Sequence, residues 1–155
     1  MYKLILTTDQ EVVRAVYKDT NVTHSFAYPL LAPVEAIAPL GAAANIHLHI
    51  RAKMVDPMGR QVPFMLTLHE EMVNRGFIMP TGFKLFFPSV LETQFSDPIG
   101  VLVRHMISIE QMQLDNLGAR KFKIKSGLPV AQIIAPHFGP FEVVWEHPSH
   151  SSHSS

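Results

Sequence analysis

The chain has 155 residues, thirteen basic and thirteen acidic side chains, and no cysteine. That length suits one domain with a hydrophobic core of its own. Balanced charge removes the electrostatic case for nucleic acid or an anionic membrane surface, and the lack of cysteine removes disulfides and thiol chemistry. No apolar run approaches the ~20 residues of a membrane-spanning helix. Residues 1–20 carry no secretory pattern, so the default expectation is an intracellular protein.

Twelve prolines and eight glycines cut the chain into short segments, which argues for many strands joined by turns and against long helices. In chain order the predicted strands are Tyr2–Thr7, Ala44–Lys53, Gln61–Thr67, Phe77–Met79, Gly82–Phe87, Val101–Gln113, Lys121–Lys125, Val130–Ala135 and Glu142–Trp145. The clearest alternation sets Ile46, Leu48 and Ile50 against Asn45, His47, His49 and Arg51, one face buried and one polar. Two short helices are open possibilities. Thr8 and Glu11 have capping-box spacing before Val12–Tyr17, and Leu68–Arg75 is rich in helix formers before Gly76. Residues 1–147 read as one β domain. Residues 148–155, serine and histidine after Pro148, read as a disordered tail. So many short strands predict an all-β sandwich or partial barrel of jelly-roll type, whose exposed edges favour oligomers.

The stretch Phe122–Pro136 carries the most specific signal. Phe122 and Ile124 alternate with Lys121, Lys123 and Lys125, as on a half-wet strand. Ser126-Gly127 supplies a turn position free to take positive φ, and Val130–Ala135 forms the return strand. Gln132 is the one polar residue in that apolar run. Its amide needs solvent or a hydrogen bond, since burying it unpaired costs roughly 1–3 kcal/mol.

Gly127–Pro136, G-L-P-V-A-Q-I-I-A-P, resembles a motif of the dUTPase superfamily that reads roughly G-D-R-I-A-Q-L-I with a proline two residues later. Pro80–Pro88, P-T-G-F-K-L-F-F-P, is similar to a second family feature, P-T-G followed by an apolar strand. Ala44–Leu48 stands where the family has A-G-Y-D-L. The likeness spans about residues 30–145. It implies a dUTPase-like β jelly roll or distorted barrel, a homotrimer, and hydrolysis of dUTP to dUMP and pyrophosphate with Mg²⁺. It also implies vestigial nucleotide-binding positions at Gln132, Gly127 and His47.

The departures from that pattern bear on the chemistry. In Ile99–His105 the glycine and valine of the family's uracil-binding hairpin are present as Gly100-Val101, but its aspartate and tyrosine are absent. Between Pro88 and Asp97 there is neither the arginine nor the glycine of the phosphate-binding turn. His47 replaces the aspartate of A-G-Y-D-L, Pro129 replaces an arginine, and no glycine-rich C-terminal arm follows. Aligning a triphosphate needs cationic or amide contacts and Mg²⁺ held through oxygens. The resemblance therefore implies a retained scaffold without catalytic residues, like the dUTPase-derived binding proteins of large DNA viruses and adenoviruses, found in the host cell or the virion. The chain ends His153-Ser154-Ser155, which does not match the PDZ-binding tail of the adenoviral derivatives.

Other residues admit two readings each. His47 and His49 share a strand parity and are candidates for gripping one metal, with Gly41 placed as at the start of a cupin motif. The next cupin ligand is missing, since Lys53 and Met54 stand there; a wet strand face is the simpler reading, and no resident metal or cofactor is expected. His69 with Glu70 and Glu71 is a further possible contributor. Arg104 is placed to pair with Glu110 or Glu92 near an oligomer axis, or to sit on the surface. Phe141–Trp145 is a candidate interface arm covering a neighbouring subunit, with Phe141 and Trp145 as anchors. The functional expectation is a non-catalytic, homotrimeric interaction or structural protein of viral origin. Three alternatives remain: an active dUTP diphosphatase or dCTP deaminase relative, a capsid or decoration component, and a cupin-like metal protein.

Overall fold

The computed structural model describes residues 1–17, 26–39, 41–88, 94–106 and 121–147. Thirteen strands and two short helices make up these residues: β1 Lys3–Thr7, α1 Glu11–Val16, β2 Ala27–Leu31, β3 Ala36–Pro39, β4 Ala43–His47, β5 Arg51–Val55, β6 Gln61–Val62, β7 Phe64–Leu68, α2 Glu70–Asn74, β8 Phe77–Ile78, β9 Phe83–Phe86, β10 Gly100–His105, β11 Lys121–Ile124, β12 Pro129–Ile134 and β13 Glu142–Trp145. They form four sheets in the orders β13-β1-β5-β6, β4-β10-β8, β11-β3 and β2-β12-β7-β9. Every pairing is antiparallel except β1 with β13. The all-β, jelly-roll-like expectation holds, as an arrangement of separate sheets rather than a closed barrel.

Alternation builds the core. Leu4 and Leu6 of β1, Ala52 and Met54 of β5, Phe64 and Leu66 of β7, and Val130, Ala131 and Ile133 of β12 all turn inward. Ile46, Leu48 and Ile50 are buried and their neighbours Asn45, His47, His49 and Arg51 exposed, but not on one strand. The chain breaks between β4 and β5, with His49 at φ 57°. That left-handed conformation costs a non-glycine residue about 1–2 kcal/mol. It is held by the Thr8 hydroxyl, which donates to the His49 carbonyl at 2.7 Å. Gln61–Thr67 is likewise split, at Pro63, which has no N–H to donate to a ladder.

The first helix keeps its expected length but is shifted by one residue, and the second is shorter than its predicted range. Thr8 is spent on His49, Gln10 is the N-cap residue of α1, and no side chain caps it, so the capping box does not form. In α2 the cap is His69, whose Nδ1 accepts from the Glu71 amide at 3.1 Å. Two strands, β2 and β3, carry no clear alternation and were not expected. β2 is fixed from outside: the buried Tyr17 hydroxyl accepts from the Leu31 amide at 2.7 Å and reaches the Leu31 carbonyl at 3.3 Å. Residues 107–113 of the predicted strand Val101–Gln113, and the tail 148–155, lie outside the described residues.

The C-terminal strand closes the domain on itself. β13 runs beside β1, pairing Lys3 with Glu142 through Leu6 with Trp145. Phe141 is fully buried. The Trp145 ring packs on Tyr17 at 5.1 Å, lies under the Arg14 guanidinium at 4.6 Å, and donates its N–H to the Tyr28 hydroxyl at 3.3 Å. In the single chain, Phe141–Trp145 packs against its own β1 and α1.

Candidate functional site

A polar groove lies where β4, β10 and the β8–β9 turn meet. β4 ends at His47, which pairs with Gly100 of β10. The segment before β10 is zipped to the β4–β5 break: Leu48 donates to the Ile99 carbonyl at 3.0 Å, and Ile99 donates to Ile50 at 2.8 Å. Gly100 has a specific job here. A Cβ on it would sit 3.0 Å from Asn45 Oδ1, so its bare backbone lets the Asn45 amide lie across β10. Opposite, Gly82 at φ 77° closes a turn by donating to the Met79 carbonyl at 2.8 Å. That turn swings Thr81, Phe83 and Lys84 to face His47.

The resulting groove has a volume of about 520 Å³, within the range of small-molecule sites. Leu66, Met79 and Val101 line it from the core side, and Asn45, His47, Thr81 and Lys84 bring polar groups to it. Lys84 is its fixed positive charge, and no carboxylate lines it. Such a site offers donors to an anionic or polar ligand. Among the lining residues it has no carboxylate to hold Mg²⁺ or to take a proton from water.

Of the individual site candidates named from sequence, only His47 enters this groove, but Asn45, Thr81, Phe83, Lys84, Gly100 and Val101, all from the stretches that resemble family motifs, line it as well. Gly127 is exposed, at φ 88°, in the β11–β12 turn, where its amide donates to Ala32 at 2.8 Å. Gln132 lies half-buried in the middle of β12, opposite Thr67 of β7 and Pro29 of β2. The neighbouring Thr67 hydroxyl is buried with no hydrogen-bond partner. Arg104 is exposed on β10, in register with Ala43 and Ile78; the glutamates proposed for it, Glu92 and Glu110, lie outside the described residues.

The histidine pair differs from its predicted geometry. The rings of His47 and His49 are 6.1 Å apart and tilted by 35°. The positive φ at His49 ends the strand parity that would have set them on one face. His69 is engaged as the α2 cap. Among the described residues no group of three or more histidine, cysteine or acidic side chains is arranged to hold a metal ion.

A second cleft escaped sequence reasoning. It joins the ends of β1 and β13 to α1 through Thr8, Gln10, Arg14, Trp145 and Glu146, with a volume of about 520 Å³. A lobe of about 430 Å³ continues it toward His49, Arg51 and Phe95. Its residues come from four separated stretches of chain, and no local pattern marks them as neighbours.

No family model matches the sequence, and no curated protein is significantly similar to it. Solved structures are similar in fold. A mutant of the Staphylococcus bacteriophage 80alpha dUTPase with dUpNHpp superposes with a TM-score of 0.56 at 11% identity, covering 94% of this chain and 93% of that one. A second mutant of the same phage protein gives 0.53 at 10% identity, over 94% and 92%. Both are described as phage dUTPases that control transfer of virulence genes by a proto-oncogenic G protein-like mechanism. At such identities the likeness is one of architecture: this chain has a dUTPase-like fold.

Proposed function

We propose that the protein is a homo-oligomeric interaction protein of viral origin, built on a dUTPase-like fold and inactive as a nucleotide hydrolase. One observation carries the reading. Where the resemblance sets the aspartate of A-G-Y-D-L, the groove presents His47, beside Asn45, Thr81 and Lys84 and with no carboxylate among its lining residues. A site of this kind binds without supplying the carboxylates that would hold Mg²⁺ and activate water for phosphoanhydride hydrolysis. The phage neighbours lend support, since control of virulence-gene transfer is a regulatory role carried by the same fold, and function resides in sites rather than folds. The trimeric state and a place in the host cell or virion rest on the resemblance.

The test is pyrophosphate release from dUTP, and ammonia release from dCTP, with Mg²⁺ and micromolar protein. No turnover is expected from the wild type. Turnover that is abolished by Lys84→Ala or His47→Ala would establish the alternative, a hydrolase using this groove, and overturn the proposal.

A further inference from the structure

Among the described residues β9 is an open edge of its sheet. It stands at the end of its sheet, paired on one side with β7, and among the described residues no backbone bond is made on its other side. Two of the other edges, β6 and β8, have two residues each, too few to template a strand. β9 and the residue after it instead expose Phe83 at 51%, Leu85 at 45% and Phe87 at 72%. Lys84 is the sole charge between Pro80 and Pro88. An apolar edge of this composition pairs with another strand unless something blocks it.

We infer that β9 pairs antiparallel with β9 of a second copy of this chain, about a two-fold axis through Leu85. The pairing does not depend on the proposed lack of catalysis. The register follows from the side chains. A two-fold axis perpendicular to the sheet keeps each face on its own side, so it must pass through a residue paired with its own copy. Centring on Lys84 would set two ammonium groups directly opposite, which is destabilising. Centring on Phe86 would set Lys84 against Pro88 of the second copy, which has no N–H to give the ladder. Centring on Leu85 pairs Leu85 with Leu85 and Phe83 with Phe87 of the second copy, so all three exposed apolar side chains find apolar partners. On the other face, Lys84 already lies 4.9 Å over its own Phe86 ring. This register sets it opposite Phe86 of the second copy, a second aromatic face for the same cation. So short an edge buries less than the roughly 800 Å² per partner of a standard interface, and the association is therefore concentration dependent.

Sedimentation equilibrium of the wild type and Leu85→Lys tests the pairing. The mass of the wild type is expected to rise with concentration, and Leu85→Lys, which sets two ammonium groups on the axis, to halve the mass reached at the highest concentration. The register is tested with cysteine variants, each carrying one thiol because the chain has none. Leu85→Cys brings two Cα atoms to about 4.5–5.5 Å and should cross-link under mild oxidation. Lys84→Cys leaves its two copies about 8 Å apart, beyond disulfide reach, and should cross-link far more slowly. A mass that never rises, an oligomer whose mass Leu85→Lys leaves unchanged, or equal cross-linking of the two variants overturns the inference. If Leu85→Lys loses its circular dichroism signal, the cysteine comparison decides alone.

Discussion

Replacing Tyr17 by Phe isolates one hydroxyl whose partners are known. The ring stays, packed in the core against Tyr28 at 6.3 Å and Trp145 at 5.1 Å. What disappears is the oxygen that accepts from the buried Leu31 amide at 2.7 Å. That N–H then has no protein partner, and its desolvation cost of about 1–3 kcal/mol is exposed. For a chain of this size each 1 kcal/mol lowers the melting temperature by roughly 2–4 °C, so a central loss of about 2 kcal/mol lowers it by about 4–8 °C. Tyr2→Phe is the control. Tyr2 is half-buried, stacks on His137 at 4.0 Å, and its ring is unchanged by the substitution, so a shift within about 0.5 kcal/mol is expected.

The same hydroxyl predicts a pH dependence. Burial raises the Tyr17 phenol well above its usual value, the Leu31 amide offsets part of that, and the nearby Tyr28 adds to it. A raised folded-state value means that the folded chain holds its proton more tightly than the unfolded chain. The stabilisation is complete below the unfolded value of about 10 and is lost as pH rises above it, by at most about 1.4 kcal/mol per pH unit for this one group. Urea melts at several pH values between 8 and 11 measure it. Tyr17→Phe should lack this component of the alkaline loss. Melting of Tyr17→Phe together with Tyr2→Phe, or an alkaline slope equal to that of the wild type, would refute the role assigned to this hydroxyl.

Three further substitutions probe other joints. Thr8→Ala removes the bond that holds His49 in its left-handed conformation and should cost about 1 kcal/mol in urea melts, whereas Thr8→Ser should recover most of it. Gly76→Ala combines a positive φ of 91° with a Cβ 3.0 Å from His105 Nε2; a loss of about 1–3 kcal/mol is expected, and a neutral result would mean that His105 yields freely. Phe141→Ala empties a fully buried position and should cost about 3–5 kcal/mol. With Phe141 packed within its own chain, urea melts at differing protein concentrations should show the same loss, whereas a loss confined to the oligomer would mean that the arm packs on a neighbour.

Strands with clean alternation were legible without the structure. Lys121–Lys125 lies where its period-2 pattern set it, the apolar segment Glu142–Trp145 is a strand as expected, and the inward parity of Ile46, Leu48 and Ile50 is that of the buried side chains. The same pattern hid the break at His49, because inward parity continues across it while the backbone turns. Thr8 looked like a helix cap because the capping-box spacing is local; the competing acceptor, the His49 carbonyl, is 41 residues away. β2 and β3 went unseen because their own residues alternate poorly and their partners, β12 and β11, lie about a hundred residues on.

By itself the sequence determined the class of the fold. Proline and glycine spacing limits strand length, period-2 burial selects faces, and neutral charge without cysteine removes whole types of chemistry, all of them properties of neighbours along the chain. Tertiary structure alone decided where those faces meet. Only it sets Lys84 and Thr81 across from His47, folds Phe141 beneath its own β1, joins the ends of β1 and β13 into a cleft, and leaves β9 as an open apolar edge. Those are relations between residues far apart in sequence, set by which strands pair, and strand pairing is a long-range choice that no local pattern encodes.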